Sequence, residues 1–153
     1  MQNVKQIVLF LLYILKKLLI ITLSLFVLAG CKILAYKKYA ETLSISFGSG
    51  GGFTGAVDEF ILNGNGALKS IKPFAKDTVL LKTLSKKDTK SIFKKLESKS
   101  LSNLKLDAPG NMTNFITFNK AGKVIQKYQW SQGATVPNEI NELFILLNKH
   151  TQQ

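Results

Sequence analysis

The sequence predicts a small α+β domain: an antiparallel sheet of about six strands in the order ββββ-α-ββ-α, with two helices on one face. Three observations carry that expectation. Residues 42–47 alternate strictly, placing Leu43, Ile45 and Phe47 on one side, which is the period of a half-buried strand. Two turn-forming stretches, Asn63-Gly64-Asn65-Gly66 and Lys120-Ala121-Gly122-Lys123, each separate a pair of short strand-like segments. Near the C-terminus Ile140, Leu143, Phe144 and Leu147 fall at i, i+3, i+4 and i+7, the stripe of an amphipathic helix. Around this domain, residues 42–153, the chain divides into a targeting segment, 1–30, and a basic tether, 31–41.

The targeting segment comes first. Lys16 and Lys17 precede thirteen uncharged residues, 18–30, and then Cys31. As a helix those residues span about 20 Å, short of the ~30 Å hydrocarbon core of a bilayer. That length fits the apolar region of a signal peptide. The segment closes on Leu28-Ala29-Gly30-Cys31, which resembles the lipobox of bacterial lipoproteins. The resemblance implies cleavage between Gly30 and Cys31, diacylglycerol on the Cys31 sulfur and acylation (palmitate-like) of the new amino group. Several acyl chains anchor a protein stably where one is marginal. It also implies a cell-envelope location, and Lys32 in place of an aspartate resembles lipoproteins held on the outer membrane. The alternative is an uncleaved transmembrane anchor over residues 18–36, with Lys32 snorkelling and a further apolar run at 7–15 before it.

The remaining elements follow from local patterns. The strand at 42–47 is interrupted by the glycine-rich segment 48–55, and a second strand, 56–62, leads into the Asn63–Gly66 turn. A third strand is expected at 67–71, ended by Pro73, and a fourth at 78–83 with Val79, Leu80 and Leu81 apolar. Ser85, with Asp88 three residues on, reads as a helix N-cap with an acid in the first turn. That helix carries Ile92, Phe93 and Leu96 and ends near Ser98. Leu101, Leu104 and Leu106 show no clear period, and residues 107–111 read as a loop. A second hairpin joins 113–119 to 124–130, and Pro137 occupies a favoured first position of the last helix.

Composition narrows the chemistry. All 21 basic residues are lysine and the formal net charge is +12. Without the three lysines of the leader, 18 remain against nine acids, or +9. Such an excess favours anionic partners, but the absence of arginine argues against base-specific nucleic-acid reading. A single cysteine excludes an intramolecular disulfide. The only histidine, His150, stands beside the C-terminus, and Asp58 and Glu59 are adjacent on a strand and so face opposite sides. No His, Cys and carboxylate spacing fits a metal, and no cofactor or catalytic residue is expected. The sequence is read as non-enzymatic.

The segment Gly50-Gly51-Gly52-Phe53-Thr54-Gly55 has a dinucleotide-binding spacing, but no helix follows it, and the kinase loop it also matches lacks its catalytic partners. What survives is a backbone free to turn sharply, with Phe53 either plugging the core or standing out as an anchor for a partner. The core plug is the commoner arrangement. Tyr128 and Trp130 share a strand face with Val124 and are expected in the core, the alternative being a stacking platform. Lys86, Lys87, Lys90, Lys94 and Lys95 crowd the polar side of the first helix, as a solvated face or a contact for anionic lipid or glycan.

The run 45–55, with Pro109-Gly110-Asn111-Met112 later in the chain, resembles uncharacterised lipoproteins of the Bacteroidota, which implies an exported anchored domain and no particular activity. Gly51 to Gly55 is also similar to the strand-linked Gly-Gly-Phe-x-Gly segment of emfourin-like metallopeptidase inhibitors. That similarity implies a non-enzymatic domain whose glycine-rich region contacts a protease. The expected function is therefore a membrane-anchored lipoprotein that binds a protein partner through Gly50 to Gly55. An electrostatic binder acting through the helix lysines is the alternative.

Overall fold

The computed structural model describes residues 10–20, 22, 40–72 and 77–152. Gly30 and Cys31, with the rest of the lipobox, and Pro73 lie outside the described residues. The chain forms two units, Met1–Lys38 and Tyr39–Gln153. In the first, residues 10–20 are helical straight through the Lys16-Lys17 pair, and Lys17 Nζ lies 4.7 Å from the centroid of the Tyr13 ring. Its apolar residues, Phe10, Leu11, Leu12, Ile14, Leu15, Leu18, Leu19 and Ile20, are all exposed. Among the described residues no helix is long and apolar enough to cross a membrane.

The second unit is an α+β domain. Its strands are β1 (Leu43–Gly51), β2 (Ala56–Asn63), β3 (Ala67–Ile71), β4 (Thr78–Thr83), β5 (Leu106–Ala108), β6 (Met112–Lys120) and β7 (Lys123–Ser131). Its helices are α1 (Lys86–Leu96), α2 (Lys99–Ser102) and α3 (Asn138–Lys149). The strands form one seven-stranded sheet in the order β4-β3-β2-β1-β6-β7-β5. Every pairing is antiparallel except β5 with β7. The seventh strand and the four-residue α2 are what the sequence expectation lacked. At three residues β5 is too short to show a period, and its partner lies some twenty residues away, so only tertiary pairing defines it.

Register explains the core. Ile45 stands opposite Leu62 and Phe118, and Phe47 opposite Phe60 and Ile116, so one face of the sheet is apolar across three strands. Onto that face pack Ile92, Phe93 and Leu96 of α1, Leu101 of α2, and Ile140, Leu143 and Leu147 of α3, in one buried cluster. The local signals hold where they were strong. Ser85 caps α1, its Oγ accepting from the Asp88 N–H at 3.1 Å. The β2–β3 turn closes with Gly66 N–H donating to Asn63 O at 2.8 Å. Pro137 proves to be the N-cap of α3 rather than its first residue, and α1 ends at Leu96, two residues before Ser98.

Tyr128 and Trp130 are both buried. Val124 does not share their face. The β6–β7 register shifts between Phe118 and Asn119, so that Phe118 faces Gln126 and Asn119 faces Val124, leaving Ile125 as a bulged residue. One inserted residue transfers every side chain beyond it to the other face, and Val124 is therefore exposed.

Tyr128 donates its phenolic hydrogen to the Leu101 carbonyl at 2.6 Å, tying α2 to the sheet. Burial raises the Tyr128 phenol above its ordinary value of 10.0. An unfolded tyrosine ionises near pH ~10, so above that pH the unfolded chain releases its proton first and stability falls as pH rises. Tyr128→Phe is expected to flatten that alkaline loss relative to the parent protein. At neutral pH it should cost about 0.5–1.5 kcal/mol, the net worth of one hydrogen bond, because the Leu101 carbonyl still accepts from the Leu104 N–H at 3.0 Å. Urea titrations of both proteins at pH 7 and above pH 10 check both expectations.

Candidate functional site: a glycine-rich hairpin tip

The expected break at residue 48 does not occur. β1 runs through Gly48, Gly50 and Gly51, which pair with Glu59, Val57 and Ala56 of β2 and with Phe115, Thr113 and Met112 of β6. Only residues 52–55 form the turn, with Gly55 N–H donating to Gly52 O at 3.2 Å and Ala56 N–H to Thr54 Oγ1 at 3.3 Å. Gly52 and Gly55 take φ of 71° and 60°, a region that other residues occupy at a cost. Glycines on a central strand serve close approach instead. A Cβ at Gly48 would overlap the Asp58 carbonyl oxygen, and one at Gly51 the Asn111 carbonyl oxygen.

The base of the tip is held from both sides. Gly52 N–H donates to Asn111 O at 2.7 Å, and Gln132 N–H to Met112 O at 2.7 Å. Thr113 Oγ1 accepts from Gly110 N at 3.1 Å and donates to Gly110 O at 2.9 Å, bracing the segment that the tip leans on. From this frame Phe53 stands out with its side chain fully exposed. The core-plug reading is therefore wrong. Phe47 and Phe60 are the core aromatics closest along the hairpin, and about 13 Å of paired strand separates Gly51 from Phe47. A four-residue turn has no slack to fold the ring back over that distance.

Val57 and Met112 are partly exposed beside the tip, and the Met112 sulfur lies 3.1 Å from where a Gly52 Cβ would stand. Met112 pairs with Gly51 and Val57 with Gly50, so the two flank the tip on opposite faces of the sheet. Sequence reasoning missed both, because Met112 arrives from β6 through register alone; the only local hint was the turn-like Pro109-Gly110-Asn111 before it. Thr54 is exposed and contributes a hydroxyl already used in the turn.

The other candidates separate. Lys86, Lys87, Lys90 and Lys94 are exposed on α1. Lys95 is half-buried, and its Nζ pairs with Glu142 Oε2 of α3 at 2.8 Å, a contact that only helix packing creates. Asp58 and Glu59 pair with Ser49 and Gly48 and so face opposite sides of the sheet. His150 is the C-cap of α3. Among the described residues no group of three His, Cys, Asp or Glu side chains could hold a metal ion.

No protein-family model matches the chain, and no curated protein matches it.

Proposed function

We propose that this protein is a bacterial envelope lipoprotein, lipid-anchored on Cys31 after cleavage behind Gly30, whose non-catalytic domain captures a protein partner at the Phe53 tip. The observation that carries the binding role is the full exposure of Phe53 on a hairpin whose base is fixed by paired strands and by the Asn111 carbonyl. An aromatic ring presented rigidly loses little side-chain entropy on binding and suits an apolar pocket, the usual form of an interface hot spot. The Leu28-Ala29-Gly30-Cys31 motif supports the anchor. The similarity of Gly51 to Gly55 to emfourin-like inhibitors makes a thermolysin-type peptidase the first partner to try.

Phe53→Ala is expected to leave the denaturation midpoint unchanged within error and to lower affinity for the partner at least tenfold. A photo-crosslinking residue at position 53, used in the native envelope, should give one discrete adduct, and Phe53→Ala protein should fail to compete for it. A large loss of stability on substitution, or no adduct, would refute the role of the tip. Mass spectrometry of the mature N-terminus tests the anchor separately: a diacylglyceryl group on Cys31 is expected, and an intact Met1 would refute it.

A further inference from the structure

The domain has two unlike ends. The chain enters at one of them: Thr42 O accepts from the Ala121 N–H of the β6–β7 turn at 2.8 Å, and Leu43 O from Gly64 N–H at 2.8 Å. The junction into α1 lies at the same end, with Leu84 N–H donating to Gly66 O at 2.9 Å. Four segments thus meet here, and the Phe53 tip stands at the far end of β1, about 27 Å away along its nine residues.

Charge follows the same axis. The end where the chain enters presents exposed Lys82 from β4, Lys86 and Lys87 from the first turn of α1, and Lys123 from β7. Its acids are Glu41 and Asp88, and the Asp88 carboxylate already accepts the Ser85 hydroxyl at 2.7 Å. Asp58, Glu59, Asp77 and Asp107 lie toward the other end, Asp58 and Glu59 by register with Ser49 and Gly48, and Asp107 opposite Gln129. Next to Lys123, across the sheet from Lys82, Lys86 and Lys87, two apolar side chains stand in the open. Val124 is 61% and Ile125 52% exposed, turned outward by the bulge that removed Val124 from the core face.

We infer that this end, with Lys123, Val124 and Ile125 on its β7 side and Lys82, Lys86 and Lys87 on its β4 side, is a contact surface for a bilayer bearing anionic headgroups. Two apolar side chains at a hairpin end can enter the headgroup layer while lysines spread over the same end of the domain meet lipid phosphates, an arrangement whose strength grows with both apolar area and surface charge. The inference rests on the anchored reading, because the chain leaves residue 31 and reaches the sheet at this very end. Contact here sets the sheet upright and turns the Phe53 tip away from the membrane.

The test uses the full acylated chain in vesicles of phosphatidylcholine alone or with phosphatidylglycerol, spin-labelled through Ala121→Cys beside the apolar pair. Thr54→Cys at the far tip serves as the aqueous reference. On anionic vesicles the position-121 label should lose at least threefold in collision with a water-soluble nickel reagent relative to the position-54 label. Lys86→Glu with Lys87→Glu and Lys123→Glu should restore it. Equal accessibility of the two labels on anionic vesicles, or equal protection on phosphatidylcholine alone, would overturn the inference while leaving the anchor intact. Labelling of Cys31 in the parent protein, or failure of the chain to float with vesicles, would instead overturn the anchor and the inference with it.

Discussion

Gly48→Ala is expected to destabilise the domain by about 4 kcal/mol or more, the range reserved for substitutions that the fold cannot absorb. Gly48 lies on β1, the central strand of seven, paired to Glu59 on one side and Phe115 on the other. A Cβ there would overlap the Asp58 carbonyl oxygen and stand 3.0 Å from the Asp58 carbonyl carbon and 3.2 Å from Glu59 Cα. All three are backbone atoms of a paired strand. They cannot move aside without opening the β1–β2 ladder that carries the tip. For a domain of ordinary stability, ~5–15 kcal/mol, such a loss removes a large share of the total. Gly55→Ala is the contrast, since nothing stands within 4 Å of its Cβ. Its cost is only that of holding a φ of 60°, about 1–2 kcal/mol. Urea denaturation followed by Trp130 fluorescence compares the two, and equal midpoints would refute the close-approach role of Gly48.

Trp130→Ala should cost about 3–5 kcal/mol, as expected for deleting a large buried aromatic side chain. The indole is 4% exposed and meets the Phe144 ring edge-on, with centroids 5.0 Å apart and planes at 80°. It joins β7 to α3. Trp130→Phe keeps an aromatic ring at that seam and should retain most of the stability. Because the protein has one tryptophan, both variants are followed by far-ultraviolet circular dichroism. A loss below ~1 kcal/mol for Trp130→Ala would mean that α3 holds its place without the ring, and would reopen the stacking-platform reading.

These two cases divide what the chain reveals locally from what it does not. Ser85 as a cap, the Asn63–Gly66 turn, and the stripe of Ile140, Leu143 and Leu147 were legible because each depends on residues within one turn of helix or hairpin. Val124 was misplaced because the bulge at Ile125 belongs to a pairing between strands and leaves no mark in the alternation of either. Lys95 was assigned to a free cationic face because Glu142 reaches it from 47 positions away in sequence. The glycines at 48, 50 and 51 read as a loop because glycine is rare inside strands; here the backbones of β1, β2 and β6 approach too closely for any Cβ at Gly48 or Gly51.

The sequence by itself determined the α+β class, the turns of the β2–β3 and β6–β7 hairpins, the lipobox motif and the excess of lysine. These are matters of short-range periodicity, turn chemistry and composition. Only the tertiary structure decided that Phe53 stands fully in solvent, that Val57 and Met112 flank the tip on opposite faces, and that Lys123, Val124 and Ile125 share one end of the sheet with Lys82, Lys86 and Lys87. Each of those depends on register across the sheet, which is fixed by burial of one face and by hydrogen bonding between strands, and neither is encoded at any single position.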